Sequence, residues 1–265
     1  DGTLWVEQPL YTQVVFAMDR VRQLAPEHPE WKTTEPFKSL LDKGEAALSQ
    51  FSIQDFEQVI AVTHSGIPLR EFHQIVRDWL KTARHPRWDR PYTELVYQPM
   101  LEVMQLLRKH GYKVYIVTGG GQEFVRVYAE AVYDVPPENV VGSAAGTKYT
   151  IAADGKPELI KEPNTLLIDD GPGKPEGINL MIGRRPFAAF GNSTGDGEML
   201  EYTQAGAGLR LMMLVHHDDA QREYNYGPDS KVGSFPDSLM QEADRRHWQV
   251  ISMKDDWKRI FAFEK

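Results

Sequence analysis

The chain has no cysteine at any of its 265 positions. Disulfides, thiolate metal centres and cysteine nucleophiles are therefore excluded, while the compartment stays open. Nor does any apolar run approach the ~20 residues a helix needs to cross a bilayer. Positive charge is the scarcer sign, with 30 Lys and Arg against 38 Asp and Glu and a formal net charge of −8. That balance speaks against a nucleic-acid or anionic-membrane surface. What is present is the composition of a globular protein, 41% hydrophobic and 26% charged. This length buries a substantial core, as one large domain or as a core with an insertion.

Two textures follow one another along the chain. From Pro9 to about Ala83 the pattern is helical. Tyr11, Val14, Val15, Met18, Val21 and Leu24 recur at three- and four-residue spacing and mark one apolar stripe. Ser52, three residues before Asp55, is an N-cap candidate for a second helix over Phe56–Val62. Thr63 to Pro68 breaks the pattern, and a third helix carries Leu69, Phe72, Ile75, Val76 and Leu80 inward. After the polar connector Arg84–Arg90, helices at Leu101–Lys109 and Gln122–Val132 alternate with short β-type runs. These runs are Lys113–Val117, Thr165–Ile168, Pro186–Phe190, Leu209–Val215 and Trp248–Ile251. Such alternation predicts a parallel α/β sheet. Tyr149–Leu159, turning at Asp154-Gly155, reads as a hairpin appended to that sheet. No repeat or low-complexity segment is visible.

Four pieces carry chemistry, and each candidate falls where a strand ends, the place where open α/β sheets keep their active sites. Asp1-Gly2-Thr3 is first of all a turn. Thr118 follows the strand KVYIV and precedes Gly119, Gly120 and Gly121, so a hydroxyl and free backbone amides can cradle a phosphate. Lys174, in GPGKP at a helix start, can offset charge repulsion between a carboxylate and a phosphoryl group. Asn192 to Asp196, in FGNSTGDGEML after the strand PFAAF, supplies hard oxygen donors of the kind Mg²⁺ prefers. His216-His217-Asp218-Asp219 invites a metal reading, but adjacent residues at a strand end point to opposite sides, which opposes it.

In this order the pieces resemble the signatures of the haloacid dehalogenase (HAD) superfamily, most closely its phosphoserine-phosphatase-like members with a helical cap. The resemblance runs from Asp1 to about Val215. It implies a Rossmann-like parallel sheet core over residues 1–8 and 91–265, with an inserted helical cap over residues 9–90. It also implies that Asp1 is the second acid of Asp-x-Asp-Gly-Thr, the general acid and base, with the nucleophilic Asp two positions upstream. Thr118 and Lys174 then correspond to the second and third motifs, with Thr3, Gly119 and Gly120 binding phosphate. Lys161 and Lys148 fit the lysine role less well. Asn192 and Asp196, with the main-chain carbonyl of Asp1, become the Mg²⁺ ligands, although Asn192 stands where the family has an acid.

The expected activity is thus Mg²⁺-dependent hydrolysis of a small-molecule phosphate monoester through an aspartyl-phosphate. A catalytically silent binding or scaffold protein, or a phosphotransferase or phosphonate hydrolase on the same core, are the alternatives. Lys174→Ala is expected to reduce turnover by orders of magnitude while leaving the fold intact, and Asn192→Asp to tighten Mg²⁺ binding. Selectivity is expected from the cap. Glu7 and Gln8 lie where phosphoserine phosphatases carry a substrate-recognising Glu, and Gln8 in that register weakens the case for an amino-group substrate. Arg84, Arg87, Trp88 and Arg90 read as hinge residues before they read as substrate contacts. The runs DGTLWVEQPLY, RPYTELVYQPM and LVHHDDAQREYNY resemble a bacterial group of HAD hydrolases usually exported, which implies the periplasm, with the cytoplasm as the alternative. Composition names neither the substrate nor the oligomeric state.

Overall fold

The computed structural model of the chain describes residues 1–264, and of Ile53 the backbone alone. Two compact units divide it. Asp1–Tyr11, Leu80–Ala144 and Leu167–Lys265 form the first, and Thr12–Trp79 with Ala145–Leu166 form the second.

The helical stretch folds as its spacing predicts. α1 (Thr12–Leu24), α2 (Phe37–Lys43), α3 (Ile53–His64) and α4 (Leu69–Thr82) follow one another with no strand between them among the described residues. α3 opens on a capping box: Ser52 Oγ accepts from the Asp55 N–H at 3.2 Å, and Asp55 Oδ2 accepts from the Ser52 N–H at 2.7 Å. Two donors that a helix start leaves orphaned are thereby satisfied. In α4, Phe72, Val76 and Leu80 are buried, which is the predicted inner face. α1 is turned slightly from the expected stripe, with Phe16 and Ala17 buried beside Met18 and Val21. Phe16 causes this, because its ring meets the edges of His64, Phe72 and Trp79 at centroid distances of 5.3, 6.1 and 5.4 Å.

The remaining elements alternate. α5 (Gln98–Lys109) stops before Gly111, whose φ of +82° favours glycine. β1 (Ile116–Gly121), α6 (Gln122–Arg126) and α7 (Ala129–Tyr133) come next, followed by β2 (Val140–Ile151) and β3 (Pro157–Leu167). Then come α8 (Gly173–Met181), β4 (Ala188–Gly191), α9 (Gly197–Gln204), β5 (Leu211–His216), α10 (Asp237–Arg246) and β6 (Gln249–Ser252). β1 pairs in parallel with the start of β2, Ile116 opposite Val140 and Thr118 opposite Gly142, and the register slips before Gly121. β4, β5 and β6 are parallel and neighbours in chain order, so their carboxyl ends share one edge. Beneath that edge Ile178, Leu200, Leu214 and Trp248 pack together, with Val117 of β1 against them. A second cluster holds Val6 among Leu95, Tyr97, Val215 and Phe261, which anchors the segment leading from Asp1. Fully burying such a side chain stabilises by about 1.5–3 kcal/mol.

Among the described residues the strands lie in two three-stranded sheets, β1-β2-β3 and β4-β5-β6, in keeping with the expected α/β alternation. Three expectations are corrected here. Thr165–Ile168 is not a core strand of its own: it overlaps the end of β3, whose polar stretch Lys156–Asn164 hides the alternation. The hairpin at Asp154-Gly155 extends well beyond Tyr149–Leu159, and most of it belongs with the helices of the second unit. The run Gln122–Val132 is two short helices interrupted at Val127-Tyr128.

Candidate active site

The turn at Asp1 is closed by the Thr3 N–H donating to the Asp1 carbonyl at 2.8 Å, while the Gly2 N–H donates to Trp5 O at 2.8 Å. Gly2 has a φ of +68°, and a Cβ there would lie 2.1 Å from Asn192 Nδ2 and 2.3 Å from Glu7 Oε1. Backbone angle and space both demand glycine. The Asp1 carboxylate accepts the Trp5 indole N–H. Thr3 Oγ1 donates to Asn192 Oδ1 at 2.9 Å, which brings the first and fourth motifs into contact.

Beyond β4 the chain curls around Asp196. One carboxylate oxygen accepts the backbone N–H groups of Asn192 at 2.9 Å and Ser193 at 3.1 Å, and the other takes Lys174 Nζ at 2.7 Å. Asn192, Asp196 and Lys174 are all buried. Burial alone pushes the Asp196 pKa up, but the Lys174 charge and these donors outweigh it and hold the carboxyl below its ordinary value. Burial likewise works against charge on Lys174, and Asp196 overcomes it, so the ammonium is held above its ordinary pKa. Lys174 sits in the first turn of α8, as its position in GPGKP predicts, and Nζ also lies 3.4 Å from Val117 O in β1, one residue before Thr118. One cation thus ties β1 to the loop that follows β4.

Thr118 is buried, and its hydroxyl accepts the Gly120 N–H at 3.1 Å, so it shapes its own glycine loop. Ser143 Oγ donates to Gly119 O at 2.8 Å and accepts the Asp169 N–H at 3.0 Å. Asp169 was not singled out from the sequence. It is completely buried, and neither carboxylate oxygen has a hydrogen-bond partner among the described residues. Burial pushes its pKa up to about 7, against the opposing pull of the Lys174 charge and of the Thr118 main-chain N–H. Asp170 lies against the Asn192–Asp196 loop, since a Cβ on Gly195 would stand 2.4 Å from its Oδ1. The Gly171 N–H donates to Gly195 O at 3.1 Å and joins the same two turns. A signal existed: two carboxylates directly after the apolar LLI and before a Gly-Pro-Gly turn.

Other predicted residues serve internally. Glu7 is buried, and its Oε1 accepts from Asn192 Nδ2 at 2.7 Å and from the Tyr226 hydroxyl. Gln8 Nε2 donates to Val232 O at 2.6 Å and Ser230 Oγ at 2.9 Å. Arg87 donates to the carbonyls of Ala220, Gln221 and Glu223, and Arg84 to those of Lys81 and Ala83. Arg90 pairs with Glu94 at 2.8 Å. Lys161 and Lys148 belong to the second unit, where Lys161 Nζ lies 4.7 Å from the Phe72 ring centre. Asp218 is used by Ser252 Oγ at 2.6 Å and Asp219 by Arg222. Among the described residues no three of His, Cys, Asp and Glu are grouped to hold a metal.

The model of the haloacid dehalogenase-like hydrolases matches residues 1–201, which include all four motifs. The chain belongs to this family, and it is a hydrolase on an α/β fold. No curated protein matches it. Among solved structures it is similar to a phosphoserine phosphohydrolase-like protein from Francisella tularensis subsp. tularensis SCHU S4, at 14% identity over 75% of this chain and 79% of that one, with a TM-score of 0.37. It is also similar to cytosolic 5'-nucleotidase IIIB bound to cytidine, at 15% identity over 95% and 70%, with a TM-score of 0.43. Likenesses this distant carry no argument about substrate.

Proposed function

We propose that the protein hydrolyses small-molecule phosphate monoesters through an aspartyl-phosphate with Mg²⁺ as cofactor. The observation that carries this reading is Lys174: a buried ammonium 2.7 Å from Asp196, beside the Thr118 loop and the Asn192 loop that touches the Asp1 turn. A buried cation at converging strand ends suits transferring phosphoryl oxygens. The nucleophile is the Asp that the family resemblance sets two positions ahead of Asp1. As its oxygen bonds to phosphorus, the ester P–O bond breaks and Asp1 gives its proton to the leaving oxygen. Asp1 then takes a proton from the water that opens the acyl phosphate.

The residues present fit a hard divalent cation. Asp1, Asp169, Asp170 and Asp196 outnumber the one lysine among them, and two of their oxygens, on Asp169, are buried without a donor. Asn192 Oδ1, Asp196 and the Asp1 carbonyl are the oxygens that would hold it. Bound there, the ion supplies charge neutralisation for the phosphoryl group. Turnover of p-nitrophenyl phosphate by the full-length protein tests the reading: Mg²⁺-dependent release that excess chelator abolishes supports it, and undiminished release in chelator overturns the metal. Export to the periplasm completes the proposal, resting on the three quoted runs and the lack of cysteine. Cell fractionation of the native host checks it, and a purely cytoplasmic protein contradicts it.

A further inference from the structure

We propose that His217 and Glu223 form a buried positioning pair that holds the Asp1–Thr3 turn by gripping the Gly2 carbonyl. Its effect on turnover rests on the phosphatase reading, whereas the grip itself does not. His217 is 1% exposed at the side chain and Glu223 is 0%. His217 Nε2 lies 2.7 Å from Gly2 O, and Nδ1 lies 2.9 Å from Glu223 Oε2. Both neighbours are acceptors, and a carbonyl has no proton to give, so Nε2 must carry one and donate it. The other ring nitrogen faces the Glu223 carboxyl, which fixes the ring's orientation. Glu223 is itself fixed by two donors, the Tyr97 hydroxyl at 3.2 Å and the Tyr224 N–H at 2.7 Å, while Arg87 holds its main-chain carbonyl. The Tyr226 ring stacks on His217 at 4.5 Å.

The aim of this pair sets it apart from ordinary core filling. A buried ionisable pair is costly to desolvate, and apolar residues of equal volume would pack there at least as well. Here it is directed at one peptide group, Gly2–Thr3. That peptide accepts from His217 through its oxygen and donates through its N–H to the Asp1 carbonyl at 2.8 Å. A donor on the oxygen polarises the peptide and strengthens its N–H. The ring therefore acts on Asp1 through a single peptide, and the second histidine of HHDD acquires a role unrelated to metal.

Two substitutions separate the halves of the pair. The amide nitrogen of His217→Gln replaces Nε2 and reaches Gly2, whereas that of His217→Asn replaces Nδ1 and reaches only Glu223. In the full-length protein His217→Asn should speed amide exchange at Thr3 by about tenfold or more, the loss of one buried hydrogen bond. His217→Gln should stay within about threefold of the parent. In an active enzyme kcat should follow the same ranking, with KM little changed. Equal effects, or the reverse ranking that a merely structural contact with Glu223 would give, overturn the proposal. Should neither variant fold, the unsubstituted protein decides: the ¹⁵N resonance of His217 must show a protonated Nε2, and a bare Nε2 overturns the grip. If the parent hydrolyses no phosphate ester, the function fails while the exchange ranking still judges this pair.

Discussion

Asp196 and Asp169 are carboxylates of the same unit, both buried and both in the field of Lys174, yet they settle in opposite states. Asp196 collects an ammonium and two backbone amides and is held below its ordinary pKa. Asp169 has no ion-pair contact and little more than the Thr118 main-chain N–H to offset its burial, and it is pushed up to about 7. Burial sets the cost of a charge in each case, and the partners decide whether that cost is met. The contrast assigns different work to two residues of one type. Asp196 anchors the loop and the lysine, whereas Asp169 is a buried carboxyl whose charge is poorly compensated.

The largest effect is expected from removing what the two share. Lys174→Ala should lower turnover by about 10²–10³. It should also cost about 3–5 kcal/mol of stability, because Asp196 is left buried and unpaired. The second consequence departs from the sequence-based expectation of an intact fold, because Lys174 is buried and is the ion-pair partner of Asp196. Chemical denaturation of the variant checks it.

The next effect breaks the comparison directly. Asp196→Asn should destabilise strongly, since Lys174 loses its ion pair, whereas Asp169→Asn should be neutral or stabilising near neutral pH. The pH dependence has opposite signs as well. The unfolded chain gives up the Asp169 proton near 3.8 and the folded protein near 7, so stability contributed at this site falls as pH rises across that window and is flat above it. For Asp196 the folded value is depressed, so its contribution is present above 3.8 and is lost as pH falls through the folded value. Denaturation midpoints from pH 4 to 8 should therefore lose a downward slope in Asp169→Asn. An unchanged slope means that Asp169 is ionised throughout.

A smaller effect sharpens the account of the fourth motif. Asn192→Asp alone should not tighten Mg²⁺, because the new carboxylate would face Glu7 Oε1 where an amide N–H now donates at 2.7 Å. Combined with Glu7→Gln it should do so, as carboxylate is the harder ligand. Metal titration of the single and double variants checks this.

Local pattern made much legible in the sequence. Helical spacing located α3 and α4 and Ser52 the cap, and the pattern singled out Lys174 and Asp196, which the structure brings into contact. Strand limits moved by one to four residues at β1, β4, β5 and β6; β1 begins at Ile116 and runs on through its glycines because pairing with β2 carries it. What stayed hidden was pairing across the chain. Glu7 meets Asn192 at a separation of 185 residues, and Gly2 meets His217 at 215. No periodicity reports such contacts. Asp169 was hidden for another reason, because a carboxylate after an apolar run reads as a turn until its burial is known.

Asp1 bears the central claim, and full-length Asp1→Asn tests it most directly with p-nitrophenyl phosphate under rapid mixing. Nitrophenolate needs little help to leave, so the first step should survive while the water step loses its base. The account predicts a burst near one nitrophenolate per enzyme, a trapped phosphoenzyme, and steady turnover reduced by about 10²–10⁴. Parent-like steady turnover, or an equal loss of both phases with no phosphoenzyme, would contradict it.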